Sequence, residues 1–250
     1  MLLKYEALLL AAGEGRRLQP LTLVTPKCLV PVINRPLLEY WLELLIRGPS
    51  PKRVWINTSY LADQVEAFLQ NRSRPTPPFE ITTVHEPELL GTAGTLIQLL
   101  PRLEANADLL LAHADNLSWF DLSRFLEAHQ GRPEQTEITM MTFKTDCPES
   151  CGIVELDAQG VAQAFHEKVS NPPSDLANGA VYLISPKGLS QIQSLGCSSD
   201  FSTEVIPAFL GRIYCWKNKT YHRDIGTPNS YECAQAEFQE TASRYRIGSA

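Results

Sequence analysis

The chain has 250 residues, of which 44% are hydrophobic and 20% charged, and its formal net charge is -6. These proportions are typical of a globular protein with one substantial core. No apolar run reaches the roughly 18 residues of a membrane-spanning helix, and no basic stripe favours a nucleic-acid partner. The six cysteines follow neither a zinc nor a disulfide pattern, and no signal peptide precedes the first strand, so we expect a cytoplasmic protein.

Strand and helix patterns alternate through the first half of the chain. A near-continuous apolar run at Glu6–Ala12 predicts a strand buried on both faces. Pro36 is placed in the first turn of a predicted helix at Leu37–Arg47. The remaining predicted strands and helices of this half are Arg53–Asn57, Leu61–Leu69, Phe79–His85, Thr92–Leu103, Asp108–His113 and Asp121–His129. This alternation predicts an α/β fold with a doubly wound, mostly parallel sheet that binds ligands at the carboxyl ends of its strands.

After Gly131 the pattern changes to strands with little helix between them. We interpret this half as a mixed-sheet extension of the same domain, and no hexapeptide repeat indicates a left-handed β-helix. The predicted strands are Thr136–Lys144, Gly152–Leu156, Val161–Glu167, Ala180–Ile184, Ile213–Trp216 and Tyr221–Asp224. Helices are predicted near Phe201–Leu210 and Pro228–Glu240.

A glycine-rich loop follows the first predicted strand. Gly13 and Gly15 allow backbone N–H groups to approach anionic oxygens closely. Arg16 and Lys27 bring positive charge to the same place. The loop lacks the Walker A string, and Leu18 stands where a dinucleotide fingerprint has its third glycine. A Gly-x-Gly pair alone also occurs in plain turns, but the glycines and cations together predict a phosphate-binding loop and a nucleotide ligand.

The longer string Gly-x-Gly-x-Arg-Leu-x-Pro-Leu-Thr, followed by Pro-Lys-x-Leu-x-Pro, resembles the N-terminal signature of the sugar-1-phosphate nucleotidyltransferases. The resemblance implies a Rossmann-like, glycosyltransferase-A-like fold. It also implies Mg2+-dependent transfer from a nucleoside triphosphate to a sugar 1-phosphate, with release of pyrophosphate. Residues 1–131 would be the nucleotide-binding half and residues 132–250 the sugar-phosphate-binding half of a single domain, 1–250. The chain is most similar to the short guanylyltransferases for mannose 1-phosphate or D-glycero-D-manno-heptose 1-phosphate, which favours GTP.

The resemblance also assigns roles within the nucleotide site. Arg16 would bind the β- and γ-phosphates, and Lys27 would bridge the α-phosphate and the sugar phosphate; each is otherwise an ordinary surface cation. Arg17 receives no role, because its position varies in the family. Glu86 would accept the two adjacent hydrogen-bond donors of guanine. The implied nucleotide-binding residues are Leu10, Ala12, Gly13, Gly15, Arg16, Glu86, Gly91 and Thr92.

Two aspartates are the implied Mg2+ ligands. Asp115 follows a predicted strand, and Asp224 begins the string Asp-Ile-Gly-Thr-Pro. Carboxylate oxygens suit Mg2+, although an aspartate at a strand end is also a common helix cap. With Arg16 and Lys27, Asp115 completes the implied catalytic set. The implied sugar-phosphate-binding residues are Gly152, Glu167, Lys168 and Asn178.

Alternatives remain open at this point. Thymidylyl or uridylyl transfer to a hexose 1-phosphate is one. A non-catalytic, sugar-nucleotide-binding regulatory subunit is another, because His113 and Ala114 depart from the family pattern beside Asp115. A nicotinamide oxidoreductase would require a third loop glycine and an acidic residue after the second strand, and neither is found. The oligomeric state also stays open, a homodimer included.

Overall fold

The computed structural model describes residues 3–72, 76–196 and 199–248. The strands, in chain order, are β1 (Tyr5–Leu10), β2 (Pro31–Val32), β3 (Arg35–Pro36), β4 (Arg53–Thr58), β5 (Glu80–His85), β6 (Asp108–His113), β7 (Asn116–Trp119), β8 (Ile138–Lys144), β9 (Gly152–Leu156), β10 (Ala162–Glu167), β11 (Leu176–Ile184), β12 (Ile213–Lys217) and β13 (Tyr221–Asp224). The α-helices are α1 (Leu37–Arg47), α2 (Ala62–Gln70), α3 (Gly91–Leu99), α4 (Leu122–Gln130), α5 (Pro186–Leu195), α6 (Ile206–Ala208) and α7 (Pro228–Arg244).

The elements fall into two units according to their internal contacts. Unit 1 comprises Met1–Leu8, Leu90–Ala112 and Ser123–Asn218. Unit 2 comprises Leu9–Leu89, His113–Leu122 and Lys219–Ala250. Strand β1 begins in unit 1 and ends in unit 2, and all of its residues are buried, as the apolar run predicts.

Unit 1 is built on a mixed sheet with helices. Its strand order is β10–β9–β11–β6–β1, and β8 pairs with both β11 and β12. Strand β11 runs antiparallel to β6, β8 and β9, whereas β12 runs parallel to β8. This arrangement is the mixed-sheet pattern that the second half of the sequence predicts.

In unit 2 the strand order is β1–β4–β5, and β4 and β5 are parallel. A separate antiparallel ribbon, β7–β13, pairs Asn116 with Asp224 and Trp119 with Tyr221. Helix α1 is tied to this ribbon by the Trp41 indole, which donates to the Asn116 carbonyl at 3.0 Å. The Phe238 ring of α7 packs 5.0 Å from the ring of Tyr221. Helices α1 and α7 therefore both contact the ribbon.

The structure confirms the predicted α/β fold with a mixed extension, and α1, β6, β9 and β13 have the predicted bounds. Strands β2, β3 and β7 were not predicted, and other details were predicted wrongly or missed. Pro36 belongs to β3 and precedes α1 instead of lying in its first turn. Helix α5 was not predicted, although Ser185 caps it through the Gly188 N–H. The helix predicted at Phe201–Leu210 is a π-helical turn, Phe201–Val205, followed by the short α6.

None of the helices in the described ranges combines the length and the apolar character that crossing a bilayer requires.

Candidate active site

The loop after β1 is shaped by Gly15, which has φ = +64°. A Cβ atom there would lie 2.9 Å from Thr22 Cγ2 and 3.0 Å from Lys27 Cβ. The Thr22 hydroxyl donates to the Gly15 carbonyl at 2.8 Å. Only glycine combines this left-handed conformation with so close an approach. The loop is therefore folded tightly against Lys27.

Lys27 is a buried cation held between two carboxylates. Its side chain is 7% exposed, and Nζ donates to Asp115 Oδ2 at 2.7 Å and to Asp224 Oδ1 at 3.3 Å. Burial by itself lowers the pKa of Lys27, but the two carboxylates outweigh it and the pKa is raised. Burial likewise opposes ionisation of Asp115, and the Lys27 ammonium nevertheless keeps the pKa of that carboxyl below its usual range. The charges thus stabilise one another.

The ribbon β7–β13 explains why Asp115 and Asp224 meet. Asp115 immediately precedes β7, and Asp224 is the last residue of β13, opposite Asn116. Across the ribbon, the Ser118 hydroxyl and His222 Nδ1 are hydrogen-bonded. A slip of one residue would turn the side chains to the other face. The register therefore sets the separation of the two carboxylates.

A cleft of about 230 Å³ opens beside this cluster, lined by Gly15, Arg16, Arg17, Lys27, Asp115 and Gly226. Mg2+ in nucleotide sites takes one or two carboxylates and completes its octahedron with phosphate oxygens and water. Among the described residues, no group of three or more histidine, cysteine or acidic side chains could hold a metal. The pair Asp115 and Asp224 fits a metal that shares its coordination with a phosphate ligand.

The two loop arginines differ in their contacts. Arg16 pairs with the carboxylate of Glu14, and its side chain is 78% exposed. Arg17 extends the other way, with Nη2 3.9 Å from Asp224 Oδ2. Arg17 therefore lies closer to the acidic pair of this cluster, although the sequence assigned it no role.

Glu86 immediately follows β5 and is 1% exposed. Its backbone N–H donates to the Thr58 carbonyl at 2.8 Å, and its Oε1 accepts from Asn57 Nδ2 at 3.1 Å. Asn57 Oδ1 in turn accepts the Ala11 N–H at 2.7 Å. Leu10 and Ala12, also predicted to bind nucleotide, are buried on either side of Ala11. Unit 2 thus holds the loop, both aspartates and Glu86.

The other predicted nucleotide-binding residues, Gly91 and Thr92, belong to unit 1. Gly91 has φ = +75°, and a Cβ atom there would overlap the Ser199 carbonyl. Thr92 Oγ1 accepts the Phe201 N–H at 2.7 Å. Gly91 and Thr92 thus connect the start of α3 to the segment at residues 199–201.

The predicted sugar-phosphate residues also lie in unit 1. A Cβ atom on Gly152 would clash with the Phe165 ring and lie 2.7 Å from Glu167 Oε2. Lys168 Nζ is 3.1 Å from Glu167 Oε1. Asn178 Nδ2 donates to the buried Tyr182 hydroxyl at 2.7 Å, and burial raises the pKa of that hydroxyl, with Glu167 adding to the effect. The structure therefore brings Gly152, Glu167 and Lys168 together, whereas the side-chain amide of Asn178 contacts Tyr182.

The profile of the Nucleotidyl transferase family matches residues 6–241. The chain belongs to the nucleotidyl transferase family. Over 93% of its length it is 30% identical to the mannose-1-phosphate guanylyltransferase of Mycobacterium tuberculosis. Over 90% it is 30% identical to the mannose-1-phosphate guanylyltransferase catalytic subunit beta of Xenopus tropicalis. This nucleotidyl transferase chain spans 64% and 62% of the length of those two relatives.

Solved structures share the fold. HddC from Yersinia pseudotuberculosis superposes with a TM-score of 0.77 at 23% identity, covering 94% of this chain and 99% of that one. HddC complexed with GMP-PN gives a TM-score of 0.76 with the same identity and coverage. The nucleotidyl transferase fold is thereby confirmed, whereas the roles of the individual site residues stay predictions.

Two residues of the candidate site, Arg17 and Asn57, had no predicted role. A signal for Arg17 was present, because the signature string places its arginine directly before Leu18. The signal for Asn57 was weaker, since it consisted only of a polar residue at the end of an otherwise apolar strand. Its two partners, Ala11 and Glu86, are distant in the sequence and became visible only in the fold.

Proposed function

We propose that this nucleotidyl transferase carries out Mg2+-dependent transfer of a nucleotidyl group from a nucleoside triphosphate to a sugar 1-phosphate. GTP is the favoured donor, and a mannose- or heptose-type sugar 1-phosphate is the acceptor. The observation that carries the proposal is the buried Lys27 ammonium between Asp115 and Asp224, beside a cleft that also contains two arginines. The names of the relatives, which include mannose-1-phosphate guanylyltransferases, support the choice of substrates.

The reaction joins two anions, and this determines what the site must supply. An oxygen of the sugar phosphate bonds to the α-phosphorus, the bond from that phosphorus to the β-phosphate oxygen breaks, and pyrophosphate leaves. The attacking phosphate is already ionised at neutral pH, so the chemistry depends on positioning and charge stabilisation. Lys27 would stabilise the charge that develops between the two phosphates.

Other residues divide the remaining tasks. Asp115 and Asp224 would hold Mg2+, which neutralises phosphate oxygens when bound. Arg16 and Arg17 would bind the outer phosphates of the nucleotide. Glu86 would accept from guanine N1–H and the 2-amino group, which supports GTP over UTP or dTTP. Glu167, Lys168 and Asn178 would bind the sugar phosphate. We propose that the protein acts on these small anions in the cytoplasm.

The test is a pyrophosphate-release screen of GTP, UTP and dTTP against mannose, heptose and glucose 1-phosphates. We expect release with GTP and a mannose- or heptose-type acceptor, and loss of release in EDTA. Turnover with UTP or dTTP instead would favour the thymidylyl- or uridylyltransferase alternative. Nucleotide-sugar binding without any release would favour a regulatory subunit.

Asp115→Asn removes one carboxylate from the same site. We expect it to lower kcat by roughly 10²-fold or more, because one of the two proposed Mg2+ ligands is lost and with it part of the charge stabilisation of the reacting phosphates. Asp175→Asn, an exposed aspartate paired with Lys144, is the matched control and should retain activity. Full activity in Asp115→Asn, with circular dichroism unchanged, would remove Asp115 from the mechanism.

A further inference from the structure

One buried carboxamide in unit 2 joins three points that are far apart in the sequence. Asn57, near the end of β4, is 4% exposed. Its Oδ1 accepts the N–H of Ala11, the first residue after β1, and its Nδ2 donates to the carboxylate of Glu86, the first residue after β5. The connection therefore runs from the start of the glycine loop to the residue proposed to read the base.

The partners of Asn57 make opposite chemical demands. The Ala11 N–H requires an acceptor, and the Glu86 carboxylate requires a donor. A carboxamide offers both on one rigid group, and its orientation is defined because only the oxygen can accept from Ala11. Aspartate would keep the first contact and lose the second, and serine is too short to span both.

We propose that Asn57 is a positioning residue for nucleobase selection, which orients the Glu86 carboxylate and couples it to the glycine loop. The inference rests on the proposed role of Glu86 in reading guanine. Glu86 is 1% exposed, so a base that reaches it leaves water. Under these conditions an unmatched hydrogen-bonding group discriminates most strongly between ligands.

Asn57→Asp tests this arrangement with almost no change of shape. The ionised carboxylate introduced at position 57 and that of Glu86 would repel each other at hydrogen-bond distance. Glu86 must therefore move or bind a proton. ITP differs from GTP only by lacking the 2-amino group. We expect the preference for GTP over ITP, measured by calorimetric titration with Mg2+ and no sugar phosphate, to fall about tenfold or more. Affinity for UTP should change much less.

Two further variants keep the test decisive. Asn57→Ser adds no charge and serves as the test if Asn57→Asp does not fold. We expect it to lose the preference for GTP over ITP in the same way. Asn218→Asp makes the same chemical change at another buried asparagine, 6% exposed, in unit 1. It should lower the melting temperature without changing the ratio of GTP to ITP affinity.

The outcomes separate this inference from the proposed function. If the wild-type protein prefers GTP and both Asn57 variants keep that preference, the inference is overturned and the proposed transfer is untouched. If the wild-type protein binds GTP and ITP equally, recognition of the 2-amino group by Glu86 is overturned, and the role of Asn57 in base selection is overturned with it. Pyrophosphate release by the wild-type protein still decides the transfer reaction by itself.

Discussion

At the scale of single residues, the central feature is a lysine that folding has taken out of water. Burying an unpaired ammonium is costly, whereas a cation that donates to two carboxylates is compensated. Lys27 Nζ makes both of these contacts. The two contacts fix the Lys27 ammonium in place before any ligand binds. A charge that is fixed in advance can stabilise a transition state without rearrangement of the site.

Arg16 and Arg17 can be separated by mutation. Arg17→Ala removes a guanidinium that extends towards Asp224, and we expect kcat/KM for pyrophosphate release to fall by about 10²-fold. Arg16→Ala should cost less than about tenfold, because the Arg16 guanidinium is already engaged by Glu14. Steady-state kinetics of both variants, with melting temperatures as controls, checks this. A larger loss in Arg16→Ala would give Arg16 the main phosphate contact.

At the scale of elements, the turn after β13 positions Asp224, one of the two proposed Mg2+ ligands. A Cβ atom on Gly226 would lie 2.6 Å from Asp224 Oδ2 and 2.9 Å from Arg17 Nη2. Gly226→Ala should therefore displace the carboxylate and raise the Mg2+ concentration for half-maximal pyrophosphate release about tenfold. Gly131→Ala, where the nearest atom is 3.5 Å away, is the control. Identical Mg2+ titrations for the two variants would contradict this role of the turn.

Helix α4 supplies a pH-dependent contribution to stability. His129 is fully buried, with Nε2 3.0 Å from Asp108 Oδ1 and Nδ1 2.8 Å from Thr139 Oγ1. Burial lowers the pKa of His129, and the Asp108 contact does not fully offset it. Below its unfolded pKa of about 6.5, the unfolded chain binds a proton that the native protein excludes. Stability is therefore full above that pH and declines as the pH falls.

Urea unfolding between about pH 5 and 7 measures this contribution, which cannot exceed about 1.4 kcal/mol per pH unit for one group. We expect the free energy of unfolding of the wild-type protein to decrease more steeply with acidification than that of His129→Gln. Equal slopes would show that His129 does not couple folding to pH in this range.

At the scale of the whole molecule, the net charge of -6 opposes the binding of the anionic substrates proposed above. Binding of these proposed substrates would then depend on local cations and on the proposed Mg2+. We expect GTP with Mg2+ to raise the melting temperature, because a ligand at 100 times its Kd adds about 2.7 kcal/mol to the free energy of unfolding. GTP with EDTA should raise the melting temperature less, since the metal is then removed. In Asp115→Asn, thermal denaturation should show the same rise in melting temperature for GTP with Mg2+ and for GTP with EDTA. An unchanged Mg2+ effect in that variant would place the metal elsewhere.

Local patterns in the sequence were sufficient to predict several helices and strands, a phosphate ligand and the family. Helix α1 followed from its apolar spacing between a proline and Gly48, and β6 followed from a short apolar run. The glycine loop and its cations indicated a phosphate ligand, and the signature string indicated the family. These features depend on residues within one turn, strand or helix, so their physics is contained in neighbouring positions.

Only the tertiary structure decided which distant residues meet. Lys27 contacts residues 88 and 197 positions away, and Asn57 joins residues 46 and 29 positions away. Strand β7 was missed because its short pattern acquires meaning only beside β13. Such contacts depend on chain closure over long loops and on the register of paired strands, and no local pattern encodes either.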